Sequence, residues 1–155
     1  MTNKIRLSYK EMLIGAQIGI MRRVQSMKRG YTHAHGRPDN DDWQRDIEGA
    51  LGEMALAKYL NLYWVGGEVC AVDVGDFEVR TTVRPNGRLI LHPKDDDTRY
   101  FWLVTGINGV YEIKGHILAS EGKRDEYWSD PTGRQRHAYF VPQSALVNPA
   151  TKPML

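Results

Sequence analysis

Apolar residues recur at helical spacing near the start of the chain, at Tyr9, Met12, Leu13, Ala16, Ile20, Val24 and Met27. This predicts a helix of about 20 residues. Ser8 with Glu11 has capping-box spacing, and the basic residues at the far end suit a helix C-terminus. The stretch from Arg29 to Asn40 contains Gly30, Gly36 and Pro38 among polar residues and reads as a loop, which also accounts for the His33-Ala34-His35 pair. Asp41 or Asp42 can cap a second helix running to about Leu60, with Trp43, Ile47, Leu51, Met54 and Lys58 along one side. Its Gly49, Gly52, Ala55 and Ala57 suit close packing on a sheet. From Val69 onward short β-prone runs alternate with the hairpin signals Gly75-Asp76, Asn86-Gly87 and Asn108-Gly109. Beyond Gly122 the chain is loop-like through Trp128 and Arg134, and Ala138 to Val141 reads as a last short strand.

One hairpin carries chemistry. If Gly75-Asp76 is a two-residue turn, Val74 lies opposite Phe77 and Asp73 opposite Glu78. Alternation then gives one face Val72, Val74, Phe77 and Val79, and the other Asp73, Glu78 and Arg80. Like charges directly across a hairpin are destabilising unless something neutralises them. A hard divalent cation would do so, since magnesium takes one or two protein carboxylates and completes its shell with water and phosphate. The alternative is a solvent-facing hairpin with Arg80 as counterion to both acids. On the second helix Glu48 and Glu53 stand about 140° apart, so only one can point into the site. Glu53 shares a face with Gly49 and Ala57 and is the better placed third carboxylate; the alternative is an ordinary surface glutamate.

Composition narrows the class. The chain has 155 residues, 41% hydrophobic and 26% charged, which suits one compact domain with its own core. Its lone cysteine, Cys70, cannot form an intramolecular disulfide or a zinc cluster, pointing to a reducing compartment, the cytoplasm by default. The apolar run Met12 to Met21 is too short for a membrane helix, so no membrane partner is expected. Net charge is only +2, but Arg22, Arg23, Lys28 and Arg29 cluster, as do Lys123 with Arg124 and Arg134 with Arg136. These clusters permit DNA binding and equally suit solvated surfaces.

Glu53, Asp73 and the triplet Glu78-Val79-Arg80 together resemble the PD-(D/E)XK nuclease superfamily, with its helix glutamate, strand-end aspartate and acid-x-lysine triplet. The run from Glu48 to Leu60 followed by Asp73 to Thr82 looks like small members found in phage and bacterial genomes, and the resemblance covers about residues 42–120. It implies an α/β (α+β) fold: a restriction-endonuclease-like core, with a central mixed β-sheet and two N-terminal helices packed on it. Residues 1–41 would be an N-terminal helix and loop, 42–120 the core and 121–155 a C-terminal extension of the same domain. It further implies that Asp73, Glu78 and the Val79 carbonyl hold Mg2+ or Mn2+, with Glu53 assisting directly or through water. The implied activity is metal-dependent hydrolysis of DNA phosphodiesters; a homodimer is compatible with it.

The departure is Arg80, where the family has lysine. Arginine cannot act as a general base, though it can steady phosphate oxygens. Lys114, in the rival triplet Glu112-Ile113-Lys114 downstream of Asp95, Asp96 and Asp97, could stand in for the missing lysine; the alternative is that Glu112 and Lys114 are exposed partners. Trp128, Arg134 and Arg136 are further candidates for substrate contact, and His137 could meet phosphate. Besides the nuclease, two readings stay open: a nuclease-fold protein without turnover that binds DNA or a protein partner, and an interaction protein that needs no cation.

Overall fold

The computed structural model describes residues 2–31, 41–67 and 72–153. The His33 and His35 pair, and the Cys70 end of the hairpin, lie outside the described residues. In chain order the elements are β1 (Lys4–Arg6), α1 (Tyr9–Arg29), α2 (Asp42–Leu60), β2 (Glu78–Thr82), β3 (Leu89–Leu91), β4 (Tyr100–Ile107), β5 (Val110–Leu118), the one-turn α3 (Ala119–Gly122), β6 (Trp128–Ser129) and β7 (Ala138–Val141).

Both long helices fall where the pattern predicts them. The Ser8–Glu11 capping box closes reciprocally, with Ser8 N donating to Glu11 Oε2 at 2.6 Å and Glu11 N to Ser8 Oγ at 3.2 Å. Asp41 occupies the N-cap of α2 but makes no side-chain capping bond. Both helices end in a left-handed residue, Gly30 and Asn61.

Four strands form a mixed sheet in the order β1-β5-β4-β2, in which β2 runs parallel to β4 and the other neighbours are antiparallel. Asn108-Gly109 makes the β4–β5 hairpin as expected, both residues taking positive φ. Asn86-Gly87 does not make one: the chain turns there out of the first sheet and into a second, ordered β3-β7-β6. β4 is buried on both faces. Trp102 and Val104 face α2 with Phe77, Val79 and Ile113, while Phe101 and Leu103 face the second sheet with Leu89, Leu91 and Val141.

The α/β class with a mixed sheet is therefore observed, with one correction to the layering. α2 lies on the sheet, whereas α1 lies on α2 and reaches the sheet at the β4–β5 turn, where Met12 rests against Gly109. The predicted apolar stripe of α1 is not its buried face; Gly15, Gly19 and Arg23 are. The reason is steric: a Cβ on Gly19 would stand 2.5 Å from the Ile47 Cα, so the helices meet backbone to backbone. Among the described residues no helix is long and apolar enough to cross a membrane.

Candidate functional site

The Gly75-Asp76 turn forms as its sequence predicts, but the expected strand pair does not: among the described residues no strand leads into the turn, Val74 and Phe77 make the one bridge across it, and β2 pairs with β4 instead. Val74 and Phe77 exchange both backbone bonds, at 3.1 and 2.8 Å, and Gly75 takes φ 55°. Val74, Phe77 and Val79 are buried on the α2 side, and Glu78 and Arg80 turn the other way. Asp73, just before the turn, accepts a bond from the Val79 N–H at 2.7 Å. A strand residue's N–H and C=O project to the same side, so the Val79 carbonyl faces the same outer sheet edge that Asp73 covers.

The Asp73 and Glu78 carboxyls are near enough to act on each other. Burial pushes Asp73 up to about 7, and the nearby Glu53 carboxylate adds to it, against the Val79 N–H, Arg80 and Arg22, which pull it down. Burial likewise pushes Glu78 up to about 7, helped by Asp73 and opposed by Arg80 and Arg99. Two acids this close cannot both ionise cheaply.

Glu53 is the acid that α2 delivers, and Glu48 is not. Glu48 is buried elsewhere, accepting from the Tyr111 hydroxyl and from Asn108 N at 3.2 Å. Gly52, rather than Gly49, sets the approach of α2 to β2, because a Cβ there would overlap Thr81 Oγ1 at 2.1 Å, while nothing lies within 4 Å of the Gly49 position. The Glu53 carboxylate is gripped by Arg22 from α1, Nη1 to Oε1 at 2.6 Å and Nη2 to Oε2 at 2.8 Å, and Trp64 Nε1 donates to Oε2 at 3.2 Å. With both oxygens engaged, Glu53 stands behind Asp73 as a fixed charge, suited to a water-mediated role rather than to direct ligation.

Arg80 is fixed too. Its Nε donates to Ile90 O at 3.2 Å, its Nη2 meets Asp95 Oδ2 at 3.0 Å, and its guanidinium carbon lies 4.8 Å from the Phe101 ring centre. Arg99 comes within 3.9 Å of Glu78. The remaining candidates have other surroundings. Lys114 pairs with Glu112 at 2.9 Å, as the alternative foresaw, though both side chains are part-buried rather than exposed. Trp128 stacks on His137 with ring centres 5.5 Å apart and leans on Tyr139, while Arg134 and Arg136 are exposed on the loop before β7.

Nothing in the sequence pattern tied Arg22 or Trp64 to Glu53, Arg99 to Glu78, or Asp95 to Arg80. Arg22 left one signal, a cation in mid-helix among Gly15, Gly19 and Arg23, the residues that turn out to face α2.

Among the described residues no cluster of three or more His, Cys, Asp or Glu is arranged to hold a metal. The arrangement offers instead a pair of carboxyls with a strand carbonyl beside them. That donor set fits a magnesium-type ion, which needs few protein ligands and keeps several waters. Comparison with protein-family models, with curated proteins and with solved structures returns no match.

Proposed function

We propose that this chain is a Mg2+- or Mn2+-dependent DNA nuclease of the restriction-endonuclease-like type, with Asp73, Glu78 and the Val79 carbonyl as its metal-binding set. One observation carries the reading: Asp73 and Glu78 meet at the edge of β2, where burial, helped by repulsion from neighbouring carboxylates, holds protons on them near neutrality. Asp73 and Glu78 would give up their protons on holding a divalent cation, whose charge would offset their repulsion.

When bound, such an ion supplies a Lewis acid for the scissile phosphate and a water of lowered pKa. Asp73 is aimed by the Val79 N–H. Glu53, gripped by Arg22 and Trp64, keeps negative charge behind Asp73 and can orient a water. Arg80 stays cationic and, pinned by Ile90, Asp95 and Phe101, is suited to steadying a phosphate oxygen rather than to taking a proton. Arg99 adds a second guanidinium on the Glu78 side. A cytoplasmic protein of phage or bacterial origin accords with the lone Cys70 and with the resemblance of the motifs.

A second reading is favoured by Arg80 itself. The cations acting on the acid pair are guanidinium groups, Arg80, Arg99 and Arg22, with Lys114 spent on Glu112. A chain in this state could bind metal and DNA without turnover.

Calorimetric titration with Mn2+ and Mg2+, with Asp73→Ala and Glu78→Ala beside the parent, tests the metal set. Binding by the parent and its loss in both variants is expected; no binding by the parent leaves only the cation-free interaction protein. Cleavage of labelled plasmid and branched DNA then separates nuclease from binder. Cleavage at full rate by Asp73→Ala would move the site elsewhere.

A further inference from the structure

Helix α1 buries its glycines against α2 and turns its apolar stripe to solvent. Tyr9 is 91% exposed, Leu13 63%, Ile20 43%, Val24 39% and Met27 58%. At 100° per residue these five, with the half-buried Ala16, fall inside an arc of roughly 80°. The stripe contains no charged residue, whereas the outward face of a surface helix is normally charged or polar. It continues onto Trp43 of α2, 45% exposed, which shares a cavity with Met27. The exposed area of these side chains is on the order of 600 Å², at the upper end of patches on ordinary monomers and close to one partner's share of a standard interface.

We infer that this stripe is a self-association surface, on which two copies of the chain pair α1 against α1 in antiparallel fashion about a twofold axis beside Ile20. The sequence of the stripe is what selects a second copy. Leu13 and Met27 stand seven residues to either side of Ile20, and Ala16 and Val24 stand four. Reversing the helix therefore lays the stripe on itself: Leu13 meets Met27, Ala16 meets Val24, and Ile20 meets Ile20 of the other copy. An isologous contact requires this self-complementarity. Ala16 opposite Val24 keeps the paired side chains small, so the helix axes can approach to the usual 8–10 Å.

The borders of the stripe add a signature. Lys10 and Lys28 are both exposed and lie on the same side of it, so antiparallel pairing sets Lys10 of one copy near Lys28 of the other. Salt screens that repulsion, and the pairing tightens as ionic strength rises. A membrane surface recruited through the same lysines would behave in the opposite way. Because Arg22 on another face of α1 holds Glu53, the helix that pairs the copies is also the one that backs the acid site.

Sedimentation equilibrium on the full chain, from low to high micromolar concentration, tests the inference. The parent and the off-stripe control Ile14→Glu are expected to double in mass, more readily in high salt, while Leu13→Glu and Ile20→Glu stay monomeric with unchanged circular dichroism. In a Cys70→Ser background, copper-phenanthroline oxidation should link Ile20→Cys into a disulfide dimer and leave Ile14→Cys unlinked. A parent that remains monomeric across the range, or a dimer indifferent to Leu13→Glu and Ile20→Glu, overturns it. So does a monomer that binds phosphatidylglycerol vesicles and lets go in salt.

Discussion

The Arg22 guanidinium lies flat against the Glu53 carboxylate, two nitrogen–oxygen contacts of 2.6 and 2.8 Å joining α1 to α2 with both side chains largely shielded from water. The same guanidinium reaches Gly67 O through Nε at 2.9 Å. A two-pronged pair of this kind is hard to break from one side, because the survivor is left as an uncompensated buried charge.

Arg22→Met should accordingly destabilise the protein by about 3–5 kcal/mol. Arg22→Met combined with Glu53→Gln should recover much of that loss, since no lone charge then remains. Urea denaturation of the two variants beside the parent measures both. A loss for Arg22→Met below about 1 kcal/mol, the range of exposed pairs, would show the pair to be solvated.

Asp73 and Glu78 make the metal-free protein less stable as pH rises. Their folded pKa values, about 7, lie above those of the unfolded chain, 3.8 and 4.5. Between roughly pH 4 and 7 the folded state thus holds more protons than the unfolded one, and stability falls through that window. The stabilising contribution is complete below pH 4 and gone above pH 7. Midpoint temperatures measured without metal should fall from pH 5 to pH 8, and Mn2+ should restore more at pH 8 than at pH 5. A flat profile across the window would contradict the raised values.

Glu78→Gln follows from the same burial and repulsion and separates stability from function. Glutamine imitates the protonated acid, so the variant should match the parent at pH 4 and exceed it at pH 8 by about 1–3 kcal/mol. It should also lose metal binding. A variant less stable than the parent at pH 8 would mean that the Glu78 charge is welcome where it stands.

The acid pair was legible because a two-residue turn fixes which residues meet, and Gly75-Asp76 made that turn explicit. Glu53 was separable from Glu48 by helix angle alone. Arg22 was not legible: its partner is 31 residues away, and only the packing of α1 on α2 brings them together. The stripe of α1 misled for a related reason. Periodicity marks an apolar face but not what covers it, and the buried face was chosen by Gly15 and Gly19, which carry no hydrophobic signal. Asn86-Gly87 misled because a turn signal does not say whether the strands around it pair, and β3 joins β7 instead. β1, three residues long, is too short to show alternation.

Gly52 sets the distance between α2 and β2, one residue before Glu53. A methyl group there would meet Thr81 at Oγ1, Cγ2 and Cβ, at 2.1, 2.8 and 2.9 Å. Thr81 Oγ1 is itself buried with no hydrogen-bond partner, so the hydroxyl fills space without being satisfied. Gly52→Ala gains about 1 kcal/mol of helix propensity, but overpacking of this kind costs about 1–3 kcal/mol or more. A net loss is expected, together with weaker metal binding as Glu53 is lifted from Asp73. Thr81→Ala removes two of the three clashing atoms and the unsatisfied hydroxyl. The double variant should therefore be more stable than the sum of the single effects predicts, with a coupling of about 1–2 kcal/mol in a double-mutant cycle. Additive effects would mean that α2 and β2 do not touch through this pair, and that the position of Glu53 is set elsewhere.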